Sequence, residues 1–185
     1  QNETDGAYNF VTVFDGGENI QTNLSDLVGS GIQTIVLVLV VMGFMVGFKE
    51  SLIAAIAVPL SFVLTFIGMI LLGQTINFIT LFSLILVIGI LIDSSIVIVE
   101  GIHDFREEGY SPFDAARKTL EEYTKPVIAG VLTTISIFVP LLLLSGTTGQ
   151  FIGGIPRVVN IVLVMAVVVA LVFIPLVATA IYAVP

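Results

Sequence analysis

The chain has 185 residues, of which 57% are hydrophobic and only 11% are charged, and its formal net charge is −8. Because soluble domains carry about 25% charged residues, this composition excludes an ordinary soluble domain and predicts a membrane protein. The acidic balance excludes the basic surface that nucleic-acid-binding proteins require. With no cysteine and one histidine, the sequence also excludes disulfides and the usual zinc sites, so we expect no metal and no cofactor.

Residues 1–30 are polar and acidic and contain no lysine or arginine. Within this segment, residues 10–14 (FVTVF) predict a short strand. A polar start that leads directly into an apolar helix predicts that the sequence is a piece of a longer protein. We interpret residues 1–30 as an external segment and residues 31–185 as the transmembrane domain.

Five apolar runs are long enough, or nearly so, to cross a bilayer, which requires about 20 mostly apolar residues. The predicted spanning helices cover residues 31–48, 51–73, 76–100, 127–144 and 158–184. Pro59, Pro140 and Pro175 fall inside three of these runs and predict kinks. The predicted fold class is therefore all-α, a polytopic transmembrane helix bundle.

The longest connection, residues 101–126, contains the start signal of a further helix. Ser111 is followed by Pro112, and Asp114 lies three residues after Ser111, which is typical of a helix N-terminus. Apolar and charged residues then recur on opposite faces at helical spacing. We expect a short amphipathic helix over residues 112–123 on the cytoplasmic membrane surface. Packing against a soluble partner is the alternative.

The basic residues predict the orientation of the bundle. Arg157 falls on one side of the membrane, and the other five fall on the opposite side: Lys49, Arg106, Arg117, Lys118 and Lys125. An excess of basic residues marks the cytoplasmic side, so we expect a multi-pass protein whose N-terminal segment is external. The one histidine, His103, is predicted to lie at the cytoplasmic end in contact with solvent.

Asp93 is the acidic residue that the third run carries inside the membrane. It lies about 25 Å from Ile76 at ~1.5 Å per residue. An ionised aspartate near the centre of a spanning helix costs ~2.5–3.5 kcal/mol, whereas loss of water favours the neutral acid. A carboxyl in this setting can load and release a proton as its surroundings change. A proton- or ion-coupling role is favoured, and a simple hydrogen bond to a neighbouring helix is the alternative.

Several neighbours are candidates to support Asp93. Ser94, Thr133 and Thr134 carry hydroxyls at a similar membrane depth, although each can instead bond a carbonyl of its own helix. Glu100, two turns after Asp93, either continues a proton path or lies at the interface as an ordinary solvated carboxylate. Gly89, one turn before Asp93, either permits close approach of another backbone or belongs to ordinary helix packing.

Three stretches together carry a resemblance to a known family. They are residues 57–60 (AVPL), residues 89–100 (GILIDSSIVIVE) and residues 108–149, which include the Ser111-Pro112 signal. These stretches resemble the resistance–nodulation–division (RND) efflux superfamily, in particular its hydrophobe/amphiphile and heavy-metal exporter branches. The similarity extends over residues 26–185.

The resemblance implies an antiporter driven by the proton-motive force, in which a carboxylate on the fourth transmembrane helix binds the transported proton. Asp93 falls at that position, and residues 31–185 would supply the second to sixth helices of the first repeat. Residues 1–30 would then be the remnant of a periplasmic porter region. The implied partners are the remaining helices and porter domains, two further copies in a homotrimer, a periplasmic adaptor, an outer-membrane channel and the lipid of the inner membrane. The fragment alone is not expected to transport, and no enzyme activity or nucleic-acid partner is implied.

One departure from the family pattern leaves questions open. Many drug exporters of this superfamily carry two adjacent aspartates, whereas Ser94 follows Asp93 here. Proton stoichiometry, branch and substrate therefore stay unassigned. The alternatives are a related lipid exporter or protein-translocation helper, or a non-catalytic membrane scaffold. An intramembrane aspartyl protease is disfavoured because the sequence has no second membrane aspartate.

Overall fold

A computed structural model describes residues 16–146, 149 and 152–183, and helices dominate this part of the chain. The helices are α1 (Gly16–Met45), α2 (Phe48–Leu71), α3 (Phe78–Leu91), α4 (Asp93–Glu107), α5 (Pro112–Leu142), α6 (Gly154–Val168) and α7 (Ile174–Ala183). Five helical stretches are long and apolar enough to span a membrane, with α3 and α4 forming one and α6 and α7 another. The predicted all-α bundle is confirmed. The strand predicted at residues 10–14 lies outside the described residues.

Successive spans run in opposite directions, and α2 lies at the centre of the bundle. It packs against α1, α4, α6 and α7, while α3 lies between α1 and α6, and α5 covers α4 and α6. Ala54 and Ala57 of α2 are completely buried, as are Leu84 of α3 and Val162 of α6. Much of α1 and the second half of α5, residues 127–142, expose apolar side chains, which is the surface that hydrocarbon or further helices would cover.

The structure differs from the sequence prediction around residues 100–126. Helix α4 continues to Glu107, and the segment predicted as a separate surface helix, residues 112–123, is the first half of the single helix α5. Only residues 108–111 connect the two helices. Pro126 does not end α5. A proline inside a helix removes one N–H donor, and a helix bundle in a membrane tolerates that loss.

The amphipathic pattern of this segment has a packing cause. Its buried face, Ala115, Ala116 and Thr119, lies inside the chain rather than against lipid. Helices α4 and α5 approach closely at Gly101, where a Cβ would lie only 2.8 Å from Thr119 Cγ2. The amphipathic pattern therefore correctly predicts a helix, but the surface that its apolar face packs against is α4.

Polar caps determine where two of the helices begin. The predicted start of α5 is confirmed, because Ser111 Oγ accepts the Asp114 N–H at 3.1 Å and Pro112 occupies the first turn. Helix α3 begins with a capping box, in which the Asn77 side chain accepts the Thr80 N–H at 3.1 Å and the Thr80 hydroxyl accepts the Asn77 N–H at 2.8 Å. These caps satisfy N–H groups that have no partner within the helix.

Helix α1 begins at Gly16, inside the segment that the sequence assigned to the exterior. Its 30 residues span about 45 Å at ~1.5 Å per residue, which exceeds the ~30 Å hydrocarbon core. The polar first turns of α1 therefore remain helical outside the membrane. The division into an external segment and a membrane domain stays a prediction.

The last span contains a local widening before Pro175. Residues Val169–Phe173 form a π-helical turn between α6 and α7. A proline ring clashes with the carbonyl of the residue four positions earlier in a regular α-helix, and a π turn places that carbonyl differently. The widened turn lets the span continue through Pro175 to Ala183.

Candidate functional site

Asp93 lies at the middle of the third span. The span runs from Phe78 to Glu107, which places Asp93 fifteen residues after one end and fourteen before the other. The predicted helix over residues 76–100 would place Asp93 nearer to its second end, and the continuation of the helix to Glu107 is what centres Asp93 in the span. The regular helix is interrupted at Ile92, so Asp93 is the first residue of α4.

A groove of about 310 Å³ opens beside the Asp93 carboxyl, between α4 and α5. The small residues of α5 that face it, Pro126, Gly130 and Thr134, are four positions apart and therefore share one helix face. The remaining lining residues are Ile90, Ser94, Val97, Val127, Val131 and Leu163. The groove is mostly apolar, and Asp93 is the charged residue in its lining.

The Asp93 carboxyl has no hydrogen bond or ion pair with any residue that the structure describes. The three ion pairs found in the described residues involve Glu50, Glu107 and Glu121, all far from the middle of the span. An acidic side chain at this depth is costly unless it is neutral or finds a partner. The geometry therefore presents a carboxyl that is free to bind a cation, a proton or a group from outside this chain.

The predicted supporting hydroxyls divide into two groups. Ser94 and Thr134 line the groove together with Asp93, whereas Thr133 does not. The Thr133 hydroxyl donates to the Ala129 carbonyl at 2.9 Å, and the Thr134 hydroxyl donates to the Gly130 carbonyl at 3.1 Å. The alternative of bonding within the helix is thus what the structure shows for both threonines.

Gly89 and Glu100 lie away from Asp93. Both line a different groove, of about 420 Å³, between α1 and the third span. Positions 89, 92, 96 and 100 share this side of the helix, and Asp93 opens toward α5 instead. A Cβ at Gly89 would meet no described atom within 4 Å, so no described helix packs closely there. The structure does not join Glu100 to Asp93.

Sequence reasoning missed a second polar cluster at one end of the bundle. The Glu50 side chain is buried, with 6% of the residue exposed, and His103 Nδ1 lies 3.1 Å from its Oε1. The Tyr182 hydroxyl donates to the same oxygen. His103 was predicted to be solvated, and the structure corrects this because its ring packs against Glu50. No local spacing signals such a cluster, since its members come from three different helices.

These features define the class of protein: a multi-pass helical membrane protein that carries, in the middle of one span, a carboxyl with no partner among the residues described above. The chain belongs to the AcrB/AcrD/AcrF family, whose sequence profile matches residues 2–183. The predicted resemblance to the RND efflux superfamily is thereby confirmed.

Individual relatives match most of this chain but only a small part of their own length. The chain is 29% identical over 158 residues to the solvent-resistant pump membrane transporter SrpB of Pseudomonas putida, covering 84% of this chain and 15% of SrpB. It is 35% identical over 138 residues to the multidrug resistance protein MdtC of Erwinia tasmaniensis, covering 74% of this chain and 14% of MdtC. It is 30% identical over 171 residues to MdtC of Pantoea ananatis, covering 92% of this chain and 17% of that MdtC.

Proposed function

We propose that this chain is the proton-coupling membrane segment of an efflux transporter driven by the proton-motive force, and that Asp93 is its proton-binding group. The relatives named as a pump membrane transporter and as multidrug resistance proteins support the efflux role. The observation that carries the proposal is the position of Asp93, which lies at mid-span beside a groove and without a partner among the described residues.

Proton binding changes what Asp93 requires from its surroundings. The neutral acid is compatible with the apolar lining of the groove, whereas the carboxylate requires a cation or hydrogen-bond donors. Loading and release of a proton therefore favour different arrangements of α4 against its neighbours. A ligand that binds two arrangements with different affinity shifts the equilibrium between them, and here the ligand is the proton.

The groove provides the room for such a change. Gly130 and Thr134 leave space opposite Asp93 that a larger side chain would fill. A donor or basic group from another part of the protein can approach through this opening when the acid is ionised. We propose that α5 moves relative to α4 along this groove during the cycle.

The chain spans about one sixth of the length of these relatives, so the whole protein's properties belong to the same proposal. We propose that the complete protein is a homotrimer in the inner membrane with porter domains, a periplasmic adaptor and an outer-membrane channel. The N-terminal segment would lie outside, the protein would perform no enzymatic reaction, and this segment alone would not transport.

The test is Asp93→Asn in the full-length protein, expressed in cells that lack other efflux pumps. Asparagine preserves size and hydrogen bonding but cannot bind a transported proton, so export should be abolished while the protein remains at its normal level in the membrane. Glu121→Gln is the matched control, because Glu121 is exposed and its ion-pair partner among the described residues is Arg117 on its own helix. Export by the Asp93→Asn variant at the normal rate would refute the coupling role.

A further inference from the structure

The Glu50 cluster contains a buried acid at one end of the bundle. Among the residues that the structure describes, Glu50 is the only buried member of the aspartate, glutamate, lysine and arginine types. It lies in the first turn of α2, and its Oε2 occupies the space directly over Gly47, where a Cβ would overlap it. Glycine at position 47 is therefore part of what lets this carboxylate turn inward.

Two side chains from other helices meet the same carboxylate oxygen. His103 of α4 brings Nδ1 to 3.1 Å from Glu50 Oε1, and Tyr182 of α7 donates its hydroxyl to that oxygen. The three helices that these residues belong to all end or begin at this end of the bundle. A carboxylate held by two donors is stabilised in its charged form, and it also has a direct proton donor beside it.

The other nitrogen of the imidazole leads to the surface. His103 Nε2 lies 3.4 Å from Glu107 Oε1, and the Glu107 side chain is 73% exposed. His103 thus lies between a buried carboxylate and a solvated one, with one ring nitrogen directed to each. Imidazole can accept a proton at one nitrogen and donate one from the other, which makes histidine a proton shuttle.

We propose that Glu50, His103 and Glu107 form a second proton-binding site, distinct from Asp93, that exchanges protons between the buried Glu50 carboxyl and the solution. In the uptake direction, His103 Nε2 takes a proton from the Glu107 carboxyl, which gives an imidazolium beside the Glu50 carboxylate. The Nδ1 proton then passes to Glu50, so that the carboxyl and the ring are both neutral. Release is the reverse sequence, and no step creates or consumes a proton.

The surrounding charges are compatible with this role. On α4, Arg106 lies over the Tyr182 ring, 5.6 Å from its centroid, and not on Glu50. On α2, Lys49 is exposed. On α5, Lys118 donates to the Tyr110 hydroxyl at 2.6 Å. Among the described residues, His103 is therefore the group within ion-pair distance that can carry a positive charge beside Glu50, and the Tyr182 hydroxyl is the second donor to the carboxylate.

The competing interpretation is a purely structural clasp that ties α2, α4 and α7 together. The His103→Asn variant distinguishes the structural clasp from the proton-exchange site. The asparagine amide keeps an N–H donor near the Nδ1 position, but it cannot accept a proton at one nitrogen and donate one from another. A clasp predicts that this variant behaves like the wild-type chain. A proton-exchange site predicts that it folds normally and exchanges protons slowly.

The experiment uses infrared difference spectroscopy on the full chain in phospholipid vesicles, stepped between about pH 8 and about pH 3, a range in which both histidine and glutamate change charge. Ring-labelled histidine reports one residue, because the chain contains one histidine. Glu50→Gln should remove one carboxyl band and alter the His103 bands. Asp93→Asn should remove a different carboxyl band and leave the His103 bands unchanged.

The rate measurement decides between the interpretations. After a light-triggered pH jump, protonation of Glu50 should slow by about a hundredfold or more in His103→Asn, the scale of a lost general acid–base group, with unchanged thermal stability. An unchanged rate in that variant, or a Glu50→Gln spectrum identical to that of the wild-type chain, would overturn the proposal. The use of this site in transport rests on the proposed function. A failure of the proposed function would be detected by the Asp93→Asn export assay, independently of the infrared experiment.

Discussion

Glu50 and His103 are 53 residues apart in the chain, yet the imidazole Nδ1 lies 3.1 Å from the carboxylate Oε1. This contact joins the start of α2 to the end of α4, the helix that carries Asp93 at its other end. The orientation of α4 is therefore linked at one end to a buried polar cluster and at the other to an apolar groove.

Removing the hydroxyl of Tyr182 should weaken the bundle at this cluster. Tyr182→Phe leaves Glu50 with one fewer donor, and loss of a hydrogen bond to a buried charged group costs about 1.5–3 kcal/mol. We expect a lower midpoint in thermal unfolding of the detergent-solubilised protein. Tyr123→Phe is the control, because the Tyr123 hydroxyl has no hydrogen bond with a described residue. Equal midpoints for the two variants would show that the Tyr182 contact is energetically unimportant.

The close crossing of α4 and α5 predicts a strong effect at Gly101. A Cβ there would lie 2.8 Å from Thr119 Cγ2 and 3.0 Å from the Tyr123 ring. Gly101→Ala should therefore destabilise the protein by about 1–3 kcal/mol through overpacking. Gly89→Ala serves as the comparison, since its Cβ would meet no described atom within 4 Å. Thermal unfolding measures both, and a stable Gly101→Ala variant would contradict the crossing that the structure shows.

A buried hydroxyl without a partner predicts a stabilising substitution. Thr65 is completely buried, and its Oγ1 has no hydrogen-bond partner among the described residues. Thr65→Val keeps the shape and removes the unsatisfied group, whose burial costs about 1–3 kcal/mol, so the unfolding midpoint should rise. Thr119→Val is the matched control, because the equally buried Thr119 hydroxyl donates to the Ala115 carbonyl at 2.9 Å. The prediction fails if Thr65→Val lowers the midpoint.

The groove beside Asp93 predicts selective chemical reactivity. A hydrophobic carbodiimide reacts with protonated carboxyl groups in apolar surroundings, so it should label Asp93 in the membrane-embedded protein. Gly130→Leu fills the space opposite Asp93 and should reduce this labelling several-fold, because large side chains displace other groups from a packed space. Leu132→Ile, on the same helix but outside the groove lining, is the control. Mass spectrometry locates the label, and undiminished labelling in Gly130→Leu would show that the groove is not the access route.

The hydropathy of the sequence was sufficient to predict the helix bundle and to identify Asp93 as an acidic residue within a span. The spans follow from runs of apolar residues, and Asp93 is conspicuous because a charged residue inside such a run is costly. The start of α5 was also predictable, because Ser111 and Pro112 are a local signal. These are properties of short segments, which a sequence displays directly.

The remaining features depend on contacts between distant segments. The continuity of α5 through Pro126 depends on the packing of its first half against α4, which no local pattern reveals. The separation of Glu100 from Asp93 depends on how the third span is rotated between α1 and α5. The Glu50 cluster depends on three helix ends meeting, and its members look like ordinary interfacial residues in the sequence.

The most direct test of the central claim is the movement of protons through the full-length protein in vesicles that contain a pH-sensitive dye. With a proton gradient and an exported compound present, the wild-type protein should carry protons inward as the compound moves outward, and Asp93→Asn should carry neither. Proton movement in Asp93→Asn at the wild-type rate would contradict the claim that Asp93 binds the transported proton.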